Sequence, residues 1–265
     1  MKIETEGLVV TEKPVGESDR LVTVLTRARG ILRAFVRHPG RGAGGKLSAT
    51  RLFTYSRFSI FEGRDSYIID EAQPIEVFFD LRKDIGRLSL AQYFCELAAT
   101  LAPEGEEAGG FLRLLLNAMY FLCRGDRPAG TLKASVEMRM MSLAGYQPDL
   151  VYCAGCRRYE ADRMFFLPDE GILLCGGCFQ PEKHAGPAFE LNRGALTPLR
   201  HTVYADFEKL FSFRISEKSE KQLCAASERY VLDTLGRGFC TLDFYHRIAS
   251  PGTGAGKGPD GKQTD

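Results

Sequence analysis

Residues 7–38 read GLVVTEKPVGESDRLVTVLTRARGILRAFVRH and contain three β-rich runs separated by turn-forming residues. Two further runs follow, and the five together are Gly7 to Lys13, Arg20 to Thr26, Ile31 to His38, Arg51 to Phe61 and Ser66 to Glu71. No helix-length apolar pattern lies among them. Short strands at this spacing predict a small β-barrel over residues 1–80, and the five-stranded OB-fold is the commonest barrel of this size.

Beyond residue 80 the apolar period changes from two to about 3.6, which indicates helices. Three helical faces are marked by Leu90, Phe94, Leu97 and Leu101, by Phe111, Leu115, Ala118 and Leu122, and by Leu132, Val136, Met140 and Leu143. Pro103 to Gly110 is predicted to be a solvated loop between the first two helices, and Gly145 to end the third. We therefore predict a helical domain over 81–248, with a cysteine-bearing insertion at about 150–187, and a disordered glycine-rich tail over 249–265.

The composition is close to the globular average, with 44% hydrophobic and 26% charged residues. The net charge of +1 carries no information about partners. No apolar run approaches the roughly 18 residues that a membrane-spanning helix needs, and the N-terminus lacks the features of a signal peptide. We expect a cytoplasmic protein without a membrane partner.

Four of the eight cysteines form two C-x-x-C pairs, Cys153 with Cys156 and Cys175 with Cys178, and eighteen residues separate the pairs. This spacing is typical of a four-cysteine zinc site. The apolar segments between the pairs, around a turn at Gly171, predict a hairpin that brings the pairs together. We predict one structural Zn²⁺ ion, because four thiolates leave no open coordination position. Redox pairs and disulfides are weaker alternatives, and an iron or iron–sulfur site would use the same ligands.

Residues 20–61 contain nine Lys and Arg residues and no Asp or Glu. Strand alternation places cations and aromatic rings on the same faces of the third and fourth strands, the pattern that single-stranded nucleic acid binding requires. The predicted nucleic-acid-binding residues are Arg27, Arg33, Phe35, Arg37, Arg41, Lys46, Arg51, Phe53, Tyr55 and Arg57. In the alternative interpretation the face is merely solvated, and Phe35, Phe53 and Tyr55 pack beneath a helix of the second domain.

The sequence contains no recognisable catalytic constellation. The four histidines are scattered, and neither G-x-G-x-x-G opening a helix nor G-x-S-x-G is present. We therefore expect a binding protein with no catalytic residues rather than an enzyme; a nuclease would need a metal site built on carboxylates. A further alternative is a zinc-stabilised interaction scaffold whose basic face binds an acidic protein.

Several short segments, in order and at characteristic spacing, resemble the RecO family of bacterial DNA recombination and repair proteins. They are GESDR at 16–20, VTVLT at 22–26, EMR at 137–139, GYQPDL at 145–150, CAGC at 153–156, GILLC at 171–175, LGR at 235–237 and LDF at 242–244. The similarity extends from about Gly7 to Ile248, which is most of the chain.

The resemblance implies an N-terminal OB-fold, a helical C-terminal domain with a zinc-binding insertion, and a non-enzymatic activity. Proteins of this family bind single- and double-stranded DNA and anneal complementary strands. With the partner RecR they help to load RecA onto single-stranded DNA coated by single-strand-binding protein, whose acidic tail they contact. We therefore expect a recombination mediator in the bacterial cytoplasm that associates with the nucleoid when bound to DNA.

Overall fold

The computed structural model describes residues 2–37, 46–64 and 66–249. It has a mixed α+β architecture, in which an N-terminal sheet of five strands precedes a helical region that carries a second, smaller sheet. The predicted order of a β region followed by a helical region is confirmed. The predicted tail from residue 250 onward, and Arg41 with its neighbours in the glycine-rich loop, lie outside the described residues.

The N-terminal sheet closes on itself in the order β1-β2-β3-β5-β4. Its elements are β1 (Lys2–Val15), β2 (Asp19–Thr26), β3 (Gly30–Val36), β4 (Thr54–Glu62) and β5 (Tyr67–Val77), with a short helix α1 (Lys46–Ala49) before β4. Strand β1 pairs with β4 through residues 2–8 and with β2 through residues 7–15, so its length closes the barrel. Apolar side chains from all five strands form the inner cluster, including Val9, Val24, Leu32, Phe58 and Ile69.

The fourth strand begins later than its sequence pattern predicts. Phe53 has a φ of 65°, in the left-handed region that a bulky residue rarely adopts. This conformation interrupts the strand pleat, so β4 starts at Thr54 rather than Arg51. The alternation predicted for Arg51 to Phe61 is therefore wrong for residues 51–53. At the same end of the barrel, β5 continues to Val77, which pairs with Thr54, beyond the predicted end at Glu71.

The helical region contains α2 (Ile85–Leu101), α3 (Gly109–Arg124), α4 (Ala129–Leu143), α5 (Arg193–Tyr204), α6 (Glu217–Leu235) and α7 (Cys240–Ala249). The three predicted apolar faces fall on α2, α3 and α4, and all their marker residues are buried except Leu101 and Leu143, which are half-buried. Gly145 ends α4 as predicted: its φ is 88°, and the N–H of Tyr146 donates to the Met141 carbonyl at 2.9 Å. Among the described residues, no helix is both long and apolar enough to cross a membrane.

The second sheet lies between α4 and α5 and carries the cysteines. Its strands are β6 (Asp149–Cys153), β7 (Met164–Leu167), β8 (Ile172–Cys175) and β9 (Phe189–Leu191), in the order β6-β8-β7-β9. Strands β7 and β8 form the predicted hairpin, with Leu167 opposite Ile172 and Met164 opposite Cys175. The turn contains Gly171 at a φ of 66°.

The outer surface of the barrel packs directly against the helices. Leu8, Val9 and Val10 are consecutive, and all three are buried. Val9 belongs to the cluster inside the barrel, whereas its two neighbours belong to the larger cluster formed with the helical region. Leu25 of β2 and Ile31 of β3 face the helices in the same way. At Leu8–Val10, and next to the turn between β2 and β3, these strands are thus buried on both faces.

Backbone hydrogen bonds reinforce this contact at the loop between α2 and α3. The Ile31 N–H donates to the Pro103 carbonyl at 2.8 Å, and the Ala108 N–H donates to the Arg27 carbonyl at 2.9 Å. Residues 104–107 are exposed, as expected for a solvated loop, but the segment is also bonded to the turn between β2 and β3. The prediction of a simple connecting loop missed this second role.

A buried ionic cluster joins α2, α4 and α6. The ammonium of Lys133 lies 2.7 Å from Glu137 Oε1 and 2.7 Å from Glu228 Oε2. The hydroxyls of Tyr93 and Ser227 donate to Glu137 at 2.9 and 2.6 Å. Although burial disfavours the ammonium ion, the two carboxylates raise the pKa of Lys133 above its ordinary value. Burial also raises the pKa of Glu137, so the charges of this buried pair depend on their partners for stabilisation.

Gly30→Ala tests the backbone contact between barrel and helices. Gly30 has a φ of 59°, and a Cβ there would lie 1.8 Å from the Pro103 carbonyl oxygen. Gly16→Ala is the matched control, since Gly16 has a φ of 61° and a Cβ there would have no atom within 4 Å. We expect the control to cost about 1–2 kcal/mol of unfolding free energy, and Gly30→Ala at least about 2 kcal/mol more. Equal costs in denaturant titrations would contradict the close contact.

Glu137→Leu tests the buried ionic cluster. The substitution deprives buried Lys133 of one carboxylate and leaves the buried Tyr93 hydroxyl without its acceptor, so we expect a loss of about 3–5 kcal/mol in unfolding free energy. Glu217→Leu is the matched control, because Glu217 pairs with Lys221 at the same i,i+4 spacing on the exposed face of α6. The control should change stability by less than about 1 kcal/mol. Similar losses of unfolding free energy in the two variants would show that the buried cluster contributes no more to stability than a surface ion pair.

Candidate metal centre and nucleic-acid interface

The four predicted metal ligands converge on one point. The sulfur atoms of Cys153, Cys156, Cys175 and Cys178 all lie within 4.8 Å of one another. Cys156 Sγ and Cys175 Sγ are 3.6 Å apart. A tetrahedral site with metal–sulfur bonds of about 2.3 Å places its sulfurs about 3.8 Å apart. The four side chains could therefore hold a metal ion between them.

The local backbone explains this convergence. Cys153 ends β6 and Cys175 ends β8, and each is followed by a tight turn. The Arg157 N–H donates to the Cys153 carbonyl at 2.8 Å, and the Phe179 N–H donates to the Cys175 carbonyl at 2.9 Å. Each turn brings the second cysteine of a pair back toward the first. We call the first turn, residues 153–158, the cysteine knuckle.

Glycine is required where the two turns approach each other. A Cβ at Gly155 would lie 3.0 Å from both Cβ and Sγ of Cys178. Any larger residue there would push the two cysteine pairs apart. Gly155 thus permits the close approach of the two pairs.

Backbone amides favour the thiolate form of the buried Cys153. Burial alone would raise its pKa, but N–H groups of Cys175, Cys156 and Gly155 point toward the sulfur and lower the pKa to about 6. The Cys175 N–H lies 3.3 Å from the Cys153 sulfur. Since the thiolate is the metal-binding form of cysteine, this arrangement suits a cation.

Sequence reasoning missed two buried arginines: Arg200 holds the cysteine-bearing module to α5, and Arg139 joins α4 to the end of α5. The guanidinium of Arg200 donates to the carbonyls of Leu150 at 2.7 Å, Val151 at 3.1 Å and Tyr159 at 2.7 Å. Arg139 donates to two carbonyls at the end of α5, at 2.9 and 2.6 Å. An arginine within a helical pattern resembles a solvated residue, so no local signal identifies these roles.

On β3, the predicted alternation of cationic and apolar faces is observed. Leu32, Ala34 and Val36 point into the barrel, whereas Arg33 and Arg37 are exposed on the outside. Phe35 lies half-buried between the two arginines. Arg33 also forms an ion pair with Glu104, at 2.8 Å.

Of the other predicted cations, Arg27, Arg51 and Arg57 are exposed too, but carboxylates from β1 partly neutralise Arg51 and Arg57. Arg51 lies 3.2 Å from Glu12, and Arg57 lies 3.2 Å from Glu6. A hydrogen bond from the Tyr55 hydroxyl, together with Arg57, lowers the pKa of Glu6, so that carboxylate is ionised. Residues 20–61 contain no Asp or Glu, but carboxylates do lie on the folded surface around them. Other parts of the chain supply these carboxylates.

The assignment of Phe53 as a base-stacking residue is wrong. Its side chain is fully buried and belongs to the core between barrel and helices. The left-handed backbone at Phe53, whose N–H donates to the Val9 carbonyl at 3.0 Å, directs the ring inward. Tyr55 is half-buried against the same core, and its hydroxyl donates to Glu6 at 2.6 Å. The alternative interpretation, packing beneath the second domain, is confirmed for Phe53.

The barrel cations form two groups rather than one stripe. Arg51 and Arg20 flank Glu12, at 3.2 and 3.9 Å, and the strand register places Arg20 opposite Val36, next to Arg37. The second group surrounds Glu6, about 20 Å away along β1. It consists of Arg57 and Arg27. Arg20 was not among the predicted site residues. The predicted residue Lys46 belongs to neither group and is half-buried at the start of α1.

Comparison with known proteins identifies the family. The sequence matches the family models described as "Recombination protein O N terminal" over residues 1–78 and "Recombination protein O C terminal" over residues 82–243. This chain belongs to the RecO family. Proteins named "DNA repair protein RecO" from Acetivibrio thermocellus and Desulforudis audaxviator are 31% and 32% identical to it, over 91% and 89% of this chain and 95% and 90% of their own lengths. The RecO protein of Alkaliphilus metalliredigens is 26% identical over 94% of this chain and 100% of its own length.

Cys175→Ser tests whether the four sulfurs act as one site. The variant has only three thiolates, so we expect it to lose its metal to a chelator that leaves the wild-type metal bound, and to melt at a lower temperature. Metal content is measured by inductively coupled plasma mass spectrometry after dialysis against EDTA. Cys240→Ser, at an exposed cysteine of α7, is the control and should retain its metal. Equal retention by both variants would rule out a four-cysteine site.

Proposed function

We propose that this RecO-family chain is a recombination mediator that binds single- and double-stranded DNA and anneals complementary strands. With RecR, it would help to load RecA onto single-stranded DNA coated by single-strand-binding protein. The observation that carries the proposal is the set of exposed arginines outside a closed five-stranded barrel, in a chain that matches both RecO family models. We further infer a cytoplasmic location, with association with the nucleoid.

The strand order supports assignment of the barrel as an OB-fold. In this fold a five-stranded Greek-key barrel presents one face and two of its loops to oligonucleotides. The four convergent thiolates favour zinc among the metals, since soft sulfur ligands in a tetrahedral arrangement suit it. The ion would be structural, because cysteine occupies every coordination position. It would hold the second sheet together and leave DNA contacts to the protein surface.

The proposed DNA contacts are the exposed arginines of the two barrel groups, together with Arg33 and the half-buried Phe35. Guanidinium groups bind phosphates irrespective of sequence, and release of counterions from the strand contributes much of the affinity. A strand held by its phosphates keeps its bases free to pair with a complement, which is what annealing requires. Lys46, and Arg41 outside the described residues, were predicted from the sequence, and we include them in the proposed interface.

The carboxylates beside these arginines compete with DNA phosphates for the guanidinium groups. Glu6, Glu12 and Glu104 already pair with barrel arginines, so a phosphate must displace or share each of these partners. We therefore expect moderate affinity that falls steeply with salt concentration. Moderate affinity suits a mediator, which must release the strand after delivering it.

The same ion pairs support a second candidate function. Within this chain the barrel arginines already accept carboxylates as partners, and an acidic protein segment could bind them in the same way. In that case the barrel would be a docking surface for an acidic protein, and the metal module would stabilise the scaffold. Direct measurement of DNA binding separates the two functions.

Replacing Arg37 and Arg51 by glutamine tests the proposed DNA contact. Both side chains are exposed at the same end of the barrel. We expect weaker binding to a fluorescent single-stranded oligonucleotide, and a decrease of about 1.4 in the slope of log K against log salt concentration, at roughly 0.7 per lost phosphate contact. Fluorescence anisotropy at several salt concentrations measures both quantities.

The control variant is Arg229→Gln, which removes an exposed arginine that pairs with Asp233 on α6, away from the barrel. It should bind DNA as the wild type does. Failure of the wild-type protein to bind at low salt would overturn the proposed function. Wild-type binding that is unaffected by the barrel variant would place the DNA contact elsewhere.

A further inference from the structure

An exposed pair of tyrosines lies beside the cysteine knuckle. Tyr152 of β6 is 41% exposed and Tyr159 is 51% exposed, although both belong to an ordered, hydrogen-bonded module. Their ring centroids are 6.1 Å apart, with 70° between the ring planes. Neither the barrel interface nor the four-cysteine site uses these rings.

The protein interior holds the two tyrosines in place. The buried guanidinium of Arg200 lies 4.1 Å from the centroid of the Tyr159 ring. Its three hydrogen bonds, described above, fix the backbone carbonyls of Leu150, Val151 and Tyr159 on either side of the knuckle. Both rings are therefore positioned before any ligand arrives, which lowers the entropic cost of binding.

Two arginines of the knuckle complete the cluster. Arg157 and Arg158 are exposed, and neither has a carboxylate within ion-pair distance among the residues that the structure describes. The guanidinium of Arg157 lies 5.6 Å from the Tyr152 ring centroid. The backbone of both residues is fixed, because Arg157 donates to the Cys153 carbonyl and the Cys153 N–H donates to the Arg158 carbonyl at 2.9 Å.

Of the acidic side chains near the cluster in the sequence, Glu160 and Asp149 are engaged elsewhere, and the exposed Asp162 lies within ion-pair distance of neither arginine. Glu160 lies 3.8 Å from Arg193, and Asp149 accepts a hydrogen bond from the Val151 N–H at 3.3 Å. The cluster thus differs from the barrel groups, where each set of arginines surrounds a carboxylate. It combines fixed, exposed rings with two unneutralised cations.

We propose that Tyr152, Tyr159, Arg157 and Arg158 form a second contact for single-stranded nucleic acid, separate from the barrel. The rings would stack on bases, and the arginines would bind the neighbouring phosphates, the combination used by sequence-tolerant single-strand binders. This inference rests on the proposed DNA-binding function and extends it to the metal-bearing module. It gives that module a role in holding the strand in addition to its role in folding.

Two variants test this contact in the full-length, metal-loaded protein. Tyr152→Leu retains an apolar side chain that a strand accommodates, but removes the ring. The double variant Arg157→Asn with Arg158→Gln removes both charges, and asparagine tolerates the left-handed backbone of Arg157, whose φ is 60°. With a fluorescent thirty-nucleotide oligothymidine, we expect the dissociation constant to rise about tenfold for the tyrosine variant. The salt slope should fall by about 1.4 for the arginine variant.

Tyr120→Leu on α3 is the matched control. Tyr120 is 51% exposed and also lies beside an arginine, since the Arg124 guanidinium is 5.6 Å from its ring centroid. That arginine, however, is paired with Asp126 at 2.8 Å. The control should leave binding unchanged, and metal content should be equal in all variants, which verifies that the knuckle remains folded.

The outcomes separate this inference from the proposed function. If the wild-type protein and the control bind and both knuckle variants bind equally well, the second contact is wrong and the barrel alone carries the DNA. If the wild-type protein does not bind the oligonucleotide, the proposed function fails as well. Loss of affinity in the knuckle variants with normal metal content establishes the contact.

Discussion

Burial of both faces of the barrel where β1, β2 and β3 meet the helices is the constraint on which the rest of this structure depends. Where Leu8, Val9 and Val10 follow one another, alternate side chains enter the barrel and the helical core. The barrel is therefore part of the same packed unit as the helices, and the backbone bonds from Pro103 and Ala108 fix their relative position. One consequence is functional: Phe53 and much of Tyr55 serve this interface, which leaves the exposed arginines as the main feature available to a ligand.

Cationic residues have two distinct roles in this chain. Lys133, Arg139 and Arg200 are buried and satisfied by carboxylates or carbonyls, so they connect helices and anchor the second sheet. The exposed arginines of the proposed DNA contacts lie on the barrel and on the cysteine knuckle. On the barrel, Arg33, Arg51 and Arg57 each pair with a carboxylate, whereas neither knuckle arginine has such a partner among the described residues. This difference makes the knuckle a stronger candidate for phosphate binding than its two charges alone suggest.

Features set by local sequence were predictable, and features set by distant residues were not. The five strands, the faces of α2, α3 and α4, the glycine stop at Gly145 and the convergence of the four cysteines all follow from periodicity or short spacing. The left-handed backbone at Phe53 could not be foreseen, because tertiary packing overrides its strand propensity. The carboxylates opposite the barrel arginines come from elements far away in the sequence, and the same is true of the carbonyls that Arg200 binds. The family segment at 137–139 contains Glu137 and Arg139, but only the structure shows what these residues contact. Glu137 belongs to the buried ionic cluster, and Arg139 caps the end of α5.

The central claim is that this RecO-family protein holds a single DNA strand on exposed cations of the barrel and of the cysteine knuckle. Photocrosslinking of the full-length protein to an oligonucleotide containing 4-thiothymidine, followed by peptide mass spectrometry, tests it most directly. We predict crosslinked peptides from β3, around Phe35, and from the segment that contains Tyr152 and Tyr159. Crosslinks confined to other surfaces, such as the exposed face of α6, would contradict this account.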